Sequence, residues 1–250
     1  MKRFILSHKR KKSESSGGVG PLIPDLVTLG ILKKPVSEYT NEDIGTTVLI
    51  HYTDSSGKIL LNNGKIEFEV VGVNHHKDTN NADTPTITLM TKNIIRNAVF
   101  DASEPPYQYG SNRWKYSNIR QWLNSSGAAN KWFTKQHDYD NPPDEANITY
   151  NEDAAYADAP GFLAGFSFAV LQHFTDITNI TAKSKLDGSG SEETVDKVFL
   201  PSYTEMYGSN NNGIAEGTYL SLRYTDDNSR KKTGANSWYW MRSPELDYTD

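Results

Sequence analysis

Strand signals come first along this chain of 250 residues, short helix signals follow, and strand signals return near the end. The clearest strand signal runs from residue 65 to 73, where Ile66, Phe68 and Val70 alternate with charged residues, as on a strand with one buried face. The Asn-Asn-Gly sequence at 62–64 before it is typical of a hairpin turn. Because strands and helices do not alternate, the order predicts an α+β fold with an antiparallel sheet and long loops.

The remaining segments are assigned from apolar runs and from helix-capping residues. We expect strands over 46–52, 59–61, 86–91, 198–200, 217–224 and 238–242, and irregular loops over 138–160 and 187–191. Two or three short helices are expected, because Ser117, Ser167 and Ser202 each precede a short helical pattern and can act as N-caps. Glu205 completes a capping box with Ser202, and Gly208 is expected to end that helix.

Charge is distributed unevenly. Residues 1–12 contain six Lys or Arg and no acid, so they carry +6 of a net charge of -5 and leave -11 on the remainder. We expect residues 1–35 to be a basic tail with a flexible linker, and residues 36–250 to form one domain. The tail is either a solvated terminus or a tether to an acidic partner or nucleic acid. Specific nucleic-acid recognition is not expected, because no aromatic residue other than Phe4 lies among the charges of the tail, and the acidic remainder of the chain repels phosphate.

Several classes of function are excluded by composition. The chain has no cysteine, which removes disulfides, zinc–thiolate sites and cysteine nucleophiles. No apolar run approaches the roughly 18 residues that span a bilayer, so membrane insertion is not expected. The N-terminal apolar run, 4–6, is too short for a secretory signal. Nucleophile-elbow and phosphate-binding glycine motifs are absent, and neither a cofactor nor an enzymatic activity is expected.

Two groups of residues resemble metal ligands at first sight. His75 and His76 are adjacent, so on a strand they point to opposite faces, and an exposed loop is the preferred interpretation. Asp138, Asp140 and Asn141, like the acidic segment 226–228, lack the spacing of a calcium-binding loop and are expected to be solvated. The sequence therefore predicts no metal site.

Two tryptophan-rich segments are the most informative part of the chain. The first, 113–124, contains Trp114 and Trp122, and the second, 238–244, contains Trp238 and Trp240. Such residues either form core and scaffold or expose an aromatic binding surface, and core packing is the commoner use. We expect them to be structural.

These segments belong to a series of five ordered motifs that runs from Trp114 to Pro244. The series consists of W-x-x-S-x-I-R-x-W-L-N (114–124), N-P-P (141–143), P-G-F-L-A-G-F-S (160–167), V-F-L-P-S-x-x-E (198–205) and W-x-W-x-R-S-P (238–244). It resembles an uncharacterised domain family of Gram-positive and gut bacteria and their phages. That family is similar in pattern to C-type-lectin-like folds of the formylglycine-generating-enzyme and phage tropism-determinant kind, and the resemblance covers about residues 40–250.

The resemblance implies a C-type-lectin-like domain in which a set of motif residues is structural. These residues are Trp114, Arg120, Trp122, Trp238, Trp240 and Arg242. The related oxidases need cysteine to hold copper, so that chemistry is excluded here. In such domains a further hairpin usually follows the R-S-P motif, and this sequence ends at Asp250; we expect that hairpin to be absent or the sheet to be completed by a partner.

The resemblance also implies ligand display by irregular loops rather than catalysis. The loops here are rich in Tyr, Asn, Ser and Gly, residue types that suit adaptable binding surfaces. The expected ligand-binding residues are Tyr107, Tyr109, Tyr207, Asn210, Asn211 and Asn212.

The function expected from this resemblance is that of a phage virion or tail-associated structural protein. It would recognise a glycan or protein of the host surface or decorate the particle, with the basic tail bound to other virion proteins. Such a protein is assembled in the host cytoplasm. The alternative is a carbohydrate- or protein-binding module on the surface of a bacterial cell. Whether the chain forms a homo-oligomer is left open.

Overall fold

Antiparallel pairing organises all strands of the computed structural model, which describes residues 5–7, 23–149, 154–209, 213–230 and 239–245. The strands are β1 (Ile5–Ser7), β2 (Thr47–His51), β3 (Lys65–Val73), β4 (Ile87–Thr91), β5 (Ile177–Ala182), β6 (Ser191–Asp196) and β7 (Val198–Phe199). Five of them form the main sheet in the order β2-β3-β4-β1-β7, and β5 and β6 form a separate pair.

The helices are short and lie between and after the strands. They are α1 (Asn118–Leu123), α2 (Phe168–Leu171), α3 (Tyr203–Tyr207) and α4 (Asp227–Arg230), with 3-10 turns at Val36–Glu38, Asn41–Asp43 and Phe162–Gly165. Antiparallel sheets with a few short helices confirm the predicted α+β class. No helix in the described ranges is long and apolar enough to cross a membrane.

The β2–β3 hairpin agrees with the predicted turn and with the predicted start of β3, but not with the predicted strand before that turn. Asn63 and Gly64 both have positive φ, 51° and 71°, as a two-residue I′ turn requires. β3 begins directly after this turn, as predicted, and Phe68 pairs with Val48 of β2. The prediction of a strand over 59–61 was wrong: the partner of β3 comes from further back in the chain.

All three predicted N-caps are confirmed. The hydroxyl oxygens of Ser117, Ser167 and Ser202 accept hydrogen bonds from the backbone N–H groups three residues later, at the starts of α1, α2 and α3. α3 also has the predicted capping box, and it ends at Gly208, whose φ of 84° is left-handed. These features were predictable because each depends on residues only a few positions apart.

Two predicted strands near the end of the chain were wrong. Residues 217–224 form an irregular segment with a turn at 221–223, and the backbone N–H of Leu220 donates to the carbonyl of Glu205. Residues 239–242 form no strand either; the backbone N–H of Arg242 donates to the carbonyl of Pro201. These segments use their backbone groups to bind the α3 region instead of a sheet edge. Residue 238 lies outside the described ranges.

The β5–β6 hairpin was not predicted. Residues 187–190 of the predicted loop lie in the connection between the two strands of the hairpin, and Ser191 begins β6. The two strands bury polar residues: Asn179, Thr181, Thr194 and Asp196 are all buried. Because the inward face is polar, the sequence lacks the apolar alternation that identifies a half-buried strand.

The first 35 residues contribute to the domain wherever the structure describes them. β1 lies between β4 and β7 in the main sheet. Leu26 and Leu32 are buried in the core, and His173 Nε2 lies 3.0 Å from the carbonyl oxygen of Pro24. The expected boundary between residues 35 and 36 therefore does not separate a tail from a domain. Residues 8–22, with the basic run at 9–12, lie outside the described ranges.

A buried network around Glu205 connects distant segments of the chain. Arg242 donates two hydrogen bonds to its carboxylate, at 2.6 and 2.8 Å, and the backbone N–H of Ser202 donates a third. His76 Nε2 lies 3.0 Å from the same carboxylate, and His76 Nδ1 lies 2.9 Å from Thr88 Oγ1. His76 is therefore buried instead of lying in an exposed loop as expected.

The network keeps Glu205 ionised although its side chain is fully buried. Burial alone raises the pKa of this carboxyl, but Arg242 and the contact with His76 lower it by more, so the pKa lies below its usual range. Arg242 thus compensates the negative charge of Glu205 inside the protein. Removing either residue of this pair leaves the other as a buried charge without a counter-charge.

Replacing Arg242→Met should lower the free energy of unfolding by about 3–5 kcal/mol, because it leaves the Glu205 carboxylate buried without its main partner. Urea denaturation measures the change. The matched control is Lys34→Met, which removes a half-exposed ion pair with Asp43 and should cost less than about 1 kcal/mol. Equal losses in the two variants would contradict the role assigned to Arg242.

The lowered pKa of His75 predicts how the stability of the domain depends on pH. Burial, followed by the neighbouring His76, lowers the pKa of His75 to about 4. Above about pH 6.5, the pKa of histidine in the unfolded chain, His75 is neutral in both states and does not lower the stability. As the pH falls from there towards 4, the unfolded chain binds a proton that the folded domain does not, so the free energy of unfolding decreases. In His75→Gln, the loss of stability between pH 6.5 and 4 should be smaller by about 1–3 kcal/mol, measured by urea denaturation at each pH. The same pH slope in both proteins would refute this.

Candidate functional site

A tightly folded loop, 101–110, carries two of the expected ligand-binding residues. The backbone N–H groups of Glu104 and Gly110 both donate to the carbonyl of Tyr107. Gly110 has φ of 75°, and a Cβ atom there would lie 2.5 Å from the carbonyl oxygen of Ala102, so only glycine fits. Tyr107 is half-buried in this loop and Tyr109 is exposed.

Glu104 meets two residues of a second loop. One ligand atom each of Glu104, His137 and Asp140 lies within 4.8 Å of the other two. Glu104 Oε2 and His137 Nε2 are 3.5 Å apart, and within the described ranges neither atom has a hydrogen-bond partner. We call these three residues the carboxylate–histidine cluster.

The position of Asp140 is set by hydrogen bonds to both of its carboxylate oxygens. Asn118 Nδ2 donates to Oδ1 at 3.0 Å, and the backbone N–H of Gln136 donates to Oδ2 at 2.8 Å. Asn118 lies in the first turn of α1, where its backbone N–H donates to Asp101 and its Oδ1 accepts from the backbone N–H of Ala102. The start of α1 therefore fixes both loops that form the cluster.

Burial raises the pKa of three carboxyl groups in this region, those of Asp101, Glu104 and Asp140. It raises the pKa of Glu104 to about 7, with a further contribution from the negative charge of Asp140. It also raises the pKa of Asp140 and, by more, that of Asp101, although backbone N–H groups partly oppose the shift at Asp101. Three carboxyl groups thus share a region in which negative charge is poorly compensated.

The tryptophan motif of α1 surrounds a different carboxylate, that of Asp196 on β6. Trp114 Nε1 donates to Oδ2 at 3.0 Å, and Arg120 Nε donates to Oδ1 at 2.7 Å. Asn179 of β5 also donates to Oδ2. Trp122 is buried as well, and its Nε1 donates to the carbonyl of Pro160. These residues attach α1 to the β5–β6 hairpin and to the 160–167 segment.

The second tryptophan motif is only partly described. Trp240 is 38% exposed, packs against Phe100 and donates from Nε1 to the carbonyl of Ala98 at 3.3 Å. Arg242 belongs to the buried Glu205 network. Trp238 lies outside the described ranges.

The remaining expected ligand-binding residues lie on or after α3. Tyr207 stacks on Tyr203, with ring centroids 4.4 Å apart, and the guanidinium of Arg230 lies 4.6 Å from the Tyr207 ring centroid. Asn210, Asn211 and Asn212 lie outside the described ranges. Of the six expected residues, Tyr107 and Tyr109 thus lie on the loop that carries Glu104 of the carboxylate–histidine cluster.

The cluster itself was not predicted. Asp140 was considered only together with Asp138 and Asn141, and it is buried instead of solvated as expected. Glu104 is distant in sequence from His137 and Asp140, so no spacing rule joins them. The sequence does place His137 three residues before Asp140, in a segment without periodicity. This spacing alone is a weak indication of the cluster until the fold is known.

Comparison with known proteins identifies the family of this chain but no individual relative. Searches of curated proteins and of solved structures return no match. A family model described as "Domain of unknown function (DUF6273)" matches residues 86–250, about two thirds of the chain, and this range includes the tryptophan motifs and the carboxylate–histidine cluster. The chain therefore belongs to the DUF6273 family.

Proposed function

We propose that this chain is a non-enzymatic recognition domain with a C-type-lectin-like fold, displayed on a phage virion or its tail. Its loops would bind a glycan or protein of the host surface, or decorate the particle. The fold assignment draws on the motif resemblance, and the small antiparallel sheets with long connecting loops are compatible with it.

The observation that carries the proposal is the exposure of tyrosines on the two loops that form the cluster. Tyr109 is 41% exposed on the first loop, and Tyr139 is 60% exposed on the second. Pro105 and Pro106 are exposed on the first loop as well. Tyrosine offers a large, rigid and amphipathic contact surface, which makes it a preferred residue of binding loops.

A glycine and several hydrogen bonds constrain the backbone that supports these tyrosines. Gly110 allows the first loop to fold back on itself, and Thr149 Oγ1 donates to the carbonyl of Gln108. The second loop is held at Asp140 by Asn118. A surface that is ordered before binding loses less entropy when the ligand binds, so this geometry favours recognition.

A module on a bacterial cell surface is the alternative, and it would use the same loops. The two proposals differ in location and in partners: the virion protein would contact other virion proteins through basic residues of the N-terminal tail that lie outside β1. Mass spectrometry of purified virions or induced prophage particles separates them. Stoichiometric amounts of the chain in particles are expected; its presence only in the cell envelope would favour the alternative.

Replacing both Tyr109→Ala and Tyr139→Ala should weaken binding to the target surface at least about tenfold, because truncated tyrosines at interface centres commonly cost more than 1 kcal/mol. The measurement is binding of the labelled chain to bacterial cells and to a glycan array. Phe168→Ala is the control, since Phe168 is an exposed aromatic residue on α2.

Two outcomes would count against this surface. Unchanged binding by the double variant would show that the cluster loops are not the contact surface, and loss of binding in Tyr207→Ala alone would place that surface on α3. Absence of binding to every cell and glycan tested would contradict the recognition function itself.

A further inference from the structure

We propose that Glu104, His137 and Asp140 bind a divalent transition-metal ion, for which zinc is the appropriate probe. Binding of this ion does not depend on which glycan or protein the loops recognise. Three observations support the site: the geometry of the cluster, the buried Glu104 Oε2 without a hydrogen-bond partner, and the local charge balance.

The spacing of the ligand atoms fits a single ion. Zinc binds histidine nitrogen and carboxylate oxygen at about 2.0–2.2 Å, so two ligands of a tetrahedral ion lie about 3.4 Å apart. Glu104 Oε2 and His137 Nε2 are 3.5 Å apart, and an Asp140 oxygen lies within 4.8 Å of both. A small shift of the Asp140 carboxylate towards the other two ligand atoms would complete a three-ligand site and leave one position for water or an incoming ligand.

Glu104 presents a buried oxygen that needs a partner. Its side chain is 2% exposed, and Oε2, which is directed towards His137, has no hydrogen-bond partner within the described ranges. A buried acceptor without a donor is costly, so such an atom in a folded protein calls for an explanation. A bound cation would satisfy Oε2 and the equally unpartnered His137 Nε2 together.

Local charge also favours a cation. Asp101, Glu104 and Asp140 are all buried. No lysine or arginine in the described parts of the chain forms an ion pair with any of them. The ion pair recorded in this region joins Glu104 to His137, which carries a charge only when it is protonated. This arrangement contrasts with Glu205 and Asp196, each of which is paired with an arginine. A divalent ion would supply positive charge to this group of carboxylates.

The surrounding residues orient the ligands as in known metal sites. Asn118 and the backbone of Gln136 hold the Asp140 carboxylate, and the ring of Tyr116 packs against that of His137 at 5.7 Å. Outer contacts of this kind position the ligands of metal ions. One imidazole with two carboxylates suits zinc, whereas calcium prefers six to eight oxygen ligands.

The test is isothermal titration of the full chain, freed of metal by a chelator, with zinc chloride. The unmodified chain should bind one zinc ion, and zinc should raise its Tm. Glu104→Gln and His137→Ala should each weaken zinc binding at least about tenfold. His51→Ala is the matched control, because His51 is exposed on β2, and it should bind zinc normally. Manganese and calcium should bind more weakly than zinc.

Folding of the variants is checked by urea denaturation without metal. Glu104→Gln should be at least as stable as the unmodified chain under those conditions, because it replaces an uncompensated buried carboxyl, so a loss of zinc binding in this variant is not a loss of fold. Failure of the unmodified chain to bind zinc, or equal zinc affinity in Glu104→Gln and the unmodified chain, would overturn the proposal. Tighter binding of calcium than of zinc would overturn the assignment of the ion.

Discussion

The fully buried carboxylate of Glu205 holds together segments that are far apart in the sequence. It is contacted by His76 from the segment between β3 and β4, by Ser202 at the start of α3, and by Arg242 near the end of the chain. Since an ionised carboxylate is stable in the interior only when its partners are present, these segments must come together in one arrangement. Asp196 has the same effect on α1 and the β5–β6 hairpin.

The buried carboxylates of this domain therefore fall into two kinds. Glu205 and Asp196 have an arginine and several hydrogen-bond donors each, and they stabilise the frame. Glu104 has an oxygen without a donor and faces a histidine nitrogen that also lacks a partner. Other buried polar atoms of the described residues also lack a hydrogen-bond partner, but here two of them face each other on side chains that can ligate a metal ion, which connects this site with function. The exposed Tyr109 and Tyr139 lie on the same two loops.

Local features of this fold could be predicted from the sequence, and features that depend on distant residues could not. The Asn63-Gly64 turn and the serine caps were predicted because neighbouring residues determine them. The β5–β6 hairpin was missed because its inward face is polar, and the strand over 217–224 was wrong because those backbone groups bind α3. The carboxylate–histidine cluster was missed because Glu104 and His137 meet only after folding.

We infer that the buried carboxylates paired with an arginine, Glu205 and Asp196, build the frame, whereas Glu104 and Asp140, which pair with no lysine or arginine of the described residues, bind an ion together with His137. Diffraction from crystals grown with zinc, recorded on both sides of the zinc absorption edge, tests it most directly. The expected anomalous difference map contains a peak bonded to Glu104, His137 and Asp140, and none beside Glu205 or Asp196. Well-ordered crystals with no peak at the cluster, or with a zinc ion bound at Glu205, would contradict the claim.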